Sequence, residues 1–422
     1  MLGYLGTLGS SLLTGSAMAA STDTPDDLLY EFDPWTRARA QLVLSSRLAY
    51  MDTAMFGPAS RAVMASEYRA REALQTDPGA FYAERYSTQA VLSLCRRLGT
   101  WLDCSADEVC FTRGALAGLM QCAEALELKA GDDVLISAQL PDALRRFWMQ
   151  QARQRNLVLK IIALPVPLNS NADVVAAFEN AMAERSRVLV CSHIQHGDGA
   201  VLPVRELCQL AKNRNMVSMI DGALSFGALQ FSVRELGCDV YGASLCHWLN
   251  GAQPTGALFV RNDLQSALPD EYANAADVTL ASARSAWPRL QRRWIEDFIE
   301  QAPQFQSLPV ALAWQEGLGR PRIEARLREL QIYTRLRLQG MEGLEVLTPS
   351  LPGLWLQILS VRSARRNARE LADWLRNNDK VIVSHASATQ DGMNVLRISL
   401  HVYNSHDEIE RLTQGLQRAL RV

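Results

Sequence analysis

The chain has 422 residues, 48% of them hydrophobic, and a formal net charge of −2 at pH 7. This length suffices for one large domain with a smaller one attached, or for two domains. Because basic residues are not in excess, the composition disfavours nucleic acid and anionic membranes as partners.

The first 21 residues, MLGYLGTLGSSLLTGSAMAAS, are mostly small or apolar and end near Ala17-Met18-Ala19, which fits a signal-peptidase site. We therefore predict that residues 1–19 are the remnant of an export signal and that the protein is periplasmic. No Lys or Arg precedes Arg37, so we expect a start upstream of Met1 that supplies the arginines of a twin-arginine signal. The alternative is a disordered or helical N-terminal arm on a cytoplasmic protein. The stretch is too short and too rich in Gly and Ser to span a membrane.

From about residue 107, short apolar runs alternate with runs that favour helix. The predicted strands are Val109–Thr112, Asp133–Ser137, Leu157–Pro165, Val188–His193, Met216–Asp221, Val240–Leu245 and Gly256–Val260. Continuous apolar runs indicate strands buried on both faces, and intervening helices indicate parallel connections. We predict an α/β fold whose large domain, residues 61–303, is a doubly wound, mainly parallel sheet.

The pattern changes after Pro303. A charged amphipathic helix is predicted for Arg322–Leu338, and the last helix opens with a capping-box pattern, Ser405 to Glu408. Strands are predicted at Leu344–Leu347, Leu354–Val361, Val381–Ser384 and Val395–Val402, with a helix at Ala364–Asn377. This order predicts a smaller α+β domain, residues 304–422. We expect an N-terminal arm, residues 20–60, to pack against it.

The cysteines and histidines do not suggest a metal site. The eight cysteines contain no CxxC pair, and His193 and His196 have no cysteine or carboxylate at zinc-site spacing. We predict no bound metal.

Several polar residues are expected at the carboxyl edge of the sheet, where ligands of such folds bind. Asp221 ends one predicted strand and Ser244 another, and Thr255 follows a loop. At the strand-to-helix junction, Gly114 lets the amides of the helix start, beginning at Ala115, approach an anion. Hydroxyls, amides and a carboxylate in this arrangement suit a phosphorylated heterocycle.

From about Tyr50 to its C-terminus, the chain resembles the class V aminotransferases of pyridoxal phosphate (PLP)-dependent fold type I, within the isopenicillin N epimerase-like group. The motifs that carry the resemblance are MDTAMFGPASR (51–61), DPGAFYAERY (77–86), CFTRGALAGL (110–119), CSHIQHGDGAVLPVREL (191–207), IDGALSFGALQFSVRELGCDVYGASLCHW (220–248), TGALFVR (255–261) and LRISLHVYNSHDEIERL (396–412). The resemblance implies a homodimer whose cofactor site is shared between subunits.

The resemblance also implies roles for individual residues. Asp221 would pair with the pyridine nitrogen of the cofactor. Ser244 and the backbone at Gly114-Ala115 would hold its phosphate, and Thr255 matches a phosphate contact usually made by the partner subunit. Arg397 matches the arginine that grips a substrate carboxylate, so a small carboxylate-bearing ligand is expected.

The chain departs from the family at the position of the catalytic lysine. Family members read His-Lys-Trp where this chain has Cys246-His247-Trp248, and none of its four lysines lies in a matching motif. Imidazole cannot form the neutral imine that a lysine forms with the cofactor aldehyde. Three further polar positions of the family have become Ala115, Ala138 and Leu224.

These departures predict a pseudoenzyme or ligand-binding descendant without ordinary transaminase activity, in which PLP or pyridoxamine phosphate (PMP) binds weakly and without a covalent bond, or no cofactor binds. One alternative is a PLP- or PMP-dependent enzyme that uses His247 as a general base. Another is an ordinary transaminase, epimerase or lyase, which requires a different alignment at His247.

Overall fold

The computed structural model describes residues 33–85, 87–269, 288–387 and 394–421. The predicted export signal, residues 1–19, and the first part of the predicted arm lie outside this range. Within the described residues, no helix is both long enough and apolar enough to cross a membrane.

Thirteen strands are described. They are β1 Ala49–Tyr50, β2 Val109–Thr112, β3 Asp133–Ser137, β4 Val158–Ile162, β5 Ser186–Ser192, β6 Val217–Asp221, β7 Val240–Ser244, β8 Gly256–Val260, β9 Leu344–Val346, β10 Ile358–Ser363, β11 Val381–Ile382, β12 Ser384–Ser387 and β13 Asn394–Ser399. The α-helices of the same part of the chain are α1 Pro34–Ala40, α2 Arg61–Thr76, α3 Pro78–Arg85, α4 Thr88–Leu102, α5 Ala115–Ala125, α6 Asp142–Arg155, α7 Asn171–Ala181, α8 Val204–Asn213, α9 Val233–Leu236, α10 Asn262–Ala267, α11 Arg289–Glu300, α12 Ala302–Gln306, α13 Leu308–Leu318, α14 Arg320–Leu338, α15 Ala368–Trp374 and α16 His406–Arg421.

The large sheet has seven strands in the order β2-β8-β7-β6-β5-β3-β4. Its strands run parallel except β8, which is antiparallel to both β2 and β7. The predicted α/β fold with a mainly parallel large sheet is therefore confirmed. Because β8 is reversed, its first residue lies at the same edge as the last residues of β2, β6 and β7.

Both faces of this sheet are covered, which explains the continuous apolar runs in its strands. Leu135 of β3 packs in one hydrophobic cluster, while its neighbours Val134 and Ile136 pack in a second cluster. Successive side chains of a strand point to opposite faces, so each strand contributes to both clusters. The helices between the strands supply the other half of each cluster, with Leu98 and Trp148 fully buried.

The smaller domain contains an antiparallel sheet in the order β12-β13-β10-β9 and a separate parallel pair, β1 with β11. The sequence predicted one strand over Val381–Ser384. The structure instead divides it, with β11 pairing to the N-terminal arm and β12 pairing to β13. The pairing of Ala49 with Val381 places the arm against the smaller domain.

The helices after residue 303 connect the two domains. Leu308 and Leu312 of α13 belong to a core cluster of the large sheet, whereas Leu330 and Leu338 of α14 belong to the core of the smaller domain. The chain thus passes from the core of the large sheet in α13 to the core of the smaller domain in α14. The last helix begins with the predicted capping box: Glu408 N–H donates to Ser405 Oγ at 3.2 Å, and Ser405 N–H donates to Glu408 Oε2 at 3.3 Å.

Candidate functional site

The carboxyl edge of the large sheet gathers most of the predicted site residues. Asp221 ends β6 and is paired in register with Ser192, the last residue of β5. Ser244 ends β7 opposite Gly256, the first residue of β8. Parallel strands end at one edge, so these side chains lie at the same edge of the sheet as the start of α5.

Asp221 is a buried carboxylate with three donors. Ser192 Oγ donates to its Oδ2 at 2.9 Å, His196 Nε2 lies 3.0 Å from the same oxygen, and Ala223 N–H donates to Oδ1 at 3.0 Å. Burial acts to raise the pKa of Asp221, but the hydrogen bond and charge of His196, with the other two donors, hold it below the ordinary value. Asp221 is therefore an ionised acceptor.

The sequence analysis did not identify His196 as a site residue. It considered His196 only together with His193, as a possible metal site, and predicted no bound metal. The two imidazoles have different partners. His193 Nδ1 lies 3.0 Å from Tyr241 Oη, and burial lowers the pKa of His193 to about 4. His196 instead contacts Asp221. The signal that could have found it is the pairing of β5 with β6, which brings the residues after Ser192 beside Asp221.

The predicted phosphate-binding residues are brought together. Ala115 N–H points to Ser244 Oγ at 3.5 Å, at the first turn of α5. Gly256 must be glycine here, because a Cβ on it would lie 2.3 Å from Gly114 Cα. The hydroxyl of Thr255 is buried and donates to Ala252 O at 2.5 Å, within its own loop.

His247 lies in a tightly packed turn after β7. Gly57 N–H donates to Cys246 O at 3.1 Å, and a Cβ on Gly57 would lie 1.8 Å from His247 O. The His247 Nδ1 atom is buried and has no hydrogen-bond partner. Burial, followed by the charges of His196 and Arg397, lowers the pKa of His247 to about 4.

The neighbouring Trp248 anchors this turn to the smaller domain. Its Nε1–H donates to Leu400 O at 2.9 Å, and its carbonyl lies 3.2 Å from His401 Nε2 and accepts from Gln315 Nε2. These contacts fix the backbone around His247 from both sides.

Arg397 is buried on β13 and reaches the same region. Its Nε donates to Ser384 Oγ and its Nη1 to the carbonyl of His196, each at 3.2 Å. Burial lowers the pKa of Arg397, and the charge of Asp52 opposes that effect. Burial raises the pKa of Asp52, whose Oδ1 is buried without a hydrogen-bond partner. The sequence did not identify Asp52 as part of this site.

Ala138 and Leu224, two of the positions at which the sequence departs from the family, have buried apolar side chains. Ala138, just after β3, is buried and donates its N–H to Ile162 O at 2.9 Å. Leu224 packs in a cluster with Trp248, and its carbonyl accepts from Gln357 Nε2 at 2.7 Å. Neither residue offers a ring or a polar group to a ligand.

The four lysines lie away from His247. Lys160 Nζ is 2.5 Å from Asp133 Oδ2, at the amino end of β3. Lys129 precedes β3 and Lys212 precedes β6, so both lie on the amino-edge side of the sheet. Lys380 Nζ donates to Asn377 O in the smaller domain. None of the four lysines therefore lies in the turn that carries His247.

The residues fit a PLP-type ligand at one end only. The amide of Ala115 and the hydroxyl of Ser244 fit a phosphate, and the Asp221 carboxylate has the chemistry to pair with a protonated ring. At the end where the resemblance would place the aldehyde, His247 offers a buried imidazole nitrogen, Nδ1, without a hydrogen-bond partner.

Comparison with known proteins agrees with this fold. A family model described as Aminotransferase class-V matches residues 53–412. Isopenicillin N epimerase of Amycolatopsis lactamdurans is 30% identical over 91% of this chain and 98% of its own length, and that of Streptomyces clavuligerus is 28% identical over 90% and 97%. A cysteine desulfurase of Pectobacterium carotovorum is 25% identical over 89% of this chain and 94% of its own.

Solved structures show the same fold at lower identity. The cysteine desulfurase CsdA of Escherichia coli superposes with a TM-score of 0.75 at 18% identity, covering 92% of this chain and 99% of its own. A lysine-to-alanine mutant of C-DES, with glycine covalently linked to its PLP cofactor, superposes with a TM-score of 0.79 at 17% identity, covering 90% and 98%. The chain described here belongs to the class V aminotransferase family.

Proposed function

We propose that this protein is a ligand-binding member of the class V aminotransferase family that does not perform ordinary transamination. One observation carries the proposal: His247 occupies the position that the resemblance assigns to the imine-forming lysine, and all four lysines of the chain lie elsewhere. PLP or PMP then binds without a covalent bond to the protein, and weakly.

The chemistry of the imidazole supports this proposal. Condensation with an aldehyde to give a neutral imine consumes two N–H hydrogens of a primary amine, and imidazole has no such nitrogen. Without that bond, affinity depends on the phosphate contacts near Ala115 and Ser244 and on ring contacts. The buried apolar side chains of Ala138 and Leu224 provide no polar ring contact. Each lost interaction of about 1.4 kcal/mol costs a factor of ten in affinity.

The competing function is an enzyme with His247 as general base, favoured by its unpartnered Nδ1. An effective base has a pKa near the working pH. Burial and nearby positive charge lower the pKa of His247 to about 4, which makes it a weak base at neutral pH. We therefore favour binding over proton transfer at His247.

The proposal includes a carboxylate ligand near Arg397, a homodimer and export to the periplasm. A buried guanidinium supports the first, since it is suited to bidentate carboxylate binding. Exposed Met55 and Phe56, close in sequence to Gly57 and thus to the His247 turn, support a second subunit at this edge.

The test is to titrate the purified protein with PLP and, separately, with PMP, recording calorimetry and visible spectra. We expect weak uptake without the absorption band of a protein imine. The matched variant His247→Lys is expected to gain that band if the pocket accommodates the ring. An imine band in the unaltered protein, or transamination of amino acids at rates typical of enzymes, contradicts the proposal.

A further inference from the structure

The carboxylate of Asp221 is fully covered in the folded chain. Its side chain has 0% exposure, while that of His196, which contacts it, is 25% exposed. The imidazole of His196 is therefore the solvent-accessible member of the pair, and solvent does not reach the carboxylate. A ligand reaching the sheet edge meets His196 before Asp221.

The hydrogen-bonding capacity of Oδ2, the oxygen that contacts His196, is already used. Oδ2 accepts from Ser192 Oγ at 2.9 Å and from His196 Nε2 at 3.0 Å. A carboxylate oxygen has two lone-pair sites, so a further donor at Oδ2 must displace one of these two. The other oxygen, Oδ1, accepts from Ala223 N–H, which belongs to the buried turn after β6.

The backbone that carries His196 is fixed by the smaller domain. Arg397 Nη1 donates to the His196 carbonyl at 3.2 Å, Ser360 Oγ donates to the Gly197 carbonyl at 2.8 Å, and Thr348 Oγ1 donates to the Asp198 carbonyl at 2.5 Å. Three consecutive carbonyls are therefore bound by side chains of one other domain. Moving His196 away from Asp221 requires rotation of its side chain, because its backbone is held.

We propose that His196 determines the ligand specificity of this site, because it is a built-in partner of Asp221 that removes the advantage of a protonated pyridine ring. The site then recognises its ligand through a phosphate or carboxylate group and does not select for a ring nitrogen. This inference rests on the proposed ligand-binding function and narrows it. A pyridine N–H that approaches Oδ2 from the exposed side must displace His196, so the ring nitrogen adds little to affinity.

The test compares two ligands that share a phosphate on a six-membered ring: PMP, which has a ring nitrogen, and benzyl phosphate, which has none. Affinities are measured by calorimetry for the unaltered protein, His196→Ala, His196→Gln, and the double variant His196→Ala/Asp221→Ala. Thermal unfolding confirms that each variant is folded. His196→Gln is the matched control, because an amide can still donate to Asp221.

In the unaltered protein we expect PMP and benzyl phosphate to bind within about threefold of each other. His196→Ala is expected to strengthen PMP binding at least tenfold, about 1.4 kcal/mol, with benzyl phosphate unchanged. His196→Gln should make the free energy of PMP binding more favourable by less than half of this amount. The double variant His196→Ala/Asp221→Ala should bind PMP no more tightly than the unaltered protein.

Three results overturn the inference: PMP binding the unaltered protein at least tenfold more tightly than benzyl phosphate, weaker PMP binding in His196→Ala, or no PMP binding in either protein. Failure of the proposed function gives a different result, a protein imine band when PLP is added to the unaltered chain. PMP and benzyl phosphate have no aldehyde, so a separate PLP titration of the same proteins distinguishes the two failures.

Discussion

Gly57 lies directly against the backbone of His247, with room for a hydrogen but not for a methyl group. A Cβ at Gly57 would be 1.8 Å from His247 O and 2.4 Å from Cys246 O. The arm that precedes α2 thus supports the turn that carries the substituted position. The geometry of this turn is determined by contacts from outside the strand to which it belongs.

We expect Gly57→Ala to destabilise the protein by about 1–3 kcal/mol, since the methyl group must displace two backbone carbonyls. Gly317 of α13 is the matched control, because a Cβ there meets nothing within 4 Å. Gly317→Ala should leave stability unchanged or raise it by about 0.5–1 kcal/mol. Chemical denaturation measures both variants. Equal stability of the two would contradict the close packing described.

The contributions of Arg397 and Asp52 to the stability of the protein are expected to be coupled. Both are buried, and each affects the pKa of the other through its charge. Arg397→Gln should destabilise the protein by about 1–3 kcal/mol, because it removes a positive charge that stabilises the buried Asp52 carboxylate and leaves the hydrogen-bond partners of the guanidinium unpaired. In the Asp52→Asn background, the same substitution should cost at least about 1 kcal/mol less.

A double-mutant cycle in urea measures this coupling. The exposed pair Arg369 and Asp373, whose charged atoms are 3.9 Å apart, provides the control cycle. Its coupling should be below about 0.5 kcal/mol, as for other exposed pairs. Additive losses for Asp52 and Arg397 would show that the two charges do not interact.

The buried histidines predict loss of stability in mild acid. Burial lowers the pKa of His193 and of His247 to about 4, and that of His401 to about 3. An unfolded imidazole has a pKa of about 6.5, so between that pH and the folded value the unfolded state binds more protons. The stabilisation is complete above about pH 6.5 and is lost as pH falls, by up to about 1.4 kcal/mol per pH unit for each histidine.

Asp198 opposes part of this effect. Burial raises the pKa of Asp198 to about 6, so its contribution to stability is present at low pH and is lost as the pH rises. Urea midpoints at pH 7.5, 6 and 5 test the balance, and we expect a net decrease toward pH 5. In His401→Gln the decrease should be smaller, since one titrating group is removed. An unchanged pH slope in this variant would mean that His401 is not a buried neutral group.

The sequence was sufficient to predict the strands of the large sheet. Val109–Thr112, Asp133–Ser137 and Gly256–Val260 were predicted with the bounds that the structure gives. These strands are short apolar runs between clear turn and helix signals, so local pattern and burial agree. The division of Val381–Ser384 into two strands was not predicted, because it depends on pairing with Ala49, far away in the chain.

The positions of the candidate site residues were predicted in part for the same reason. Asp221, Ser244 and Ala115 follow strands whose edge could be inferred, and the structure brings them to that edge. His196 and Asp52 were missed, because His196 contacts Asp221 on a neighbouring strand and Asp52 interacts with Arg397 of the smaller domain through its charge. Such contacts depend on strand register and domain packing, which a single sequence does not specify.

The central claim is that no lysine of this chain can bind the aldehyde of PLP covalently at the site. Treating the native protein with one equivalent of PLP, reducing it with borohydride and mapping its peptides by mass spectrometry tests this directly, with the His247→Lys variant as positive control. We predict label at position 247 in the variant and no stoichiometric label in the unaltered protein. One phosphopyridoxyl group per chain on Lys129, Lys160, Lys212 or Lys380 would contradict the account.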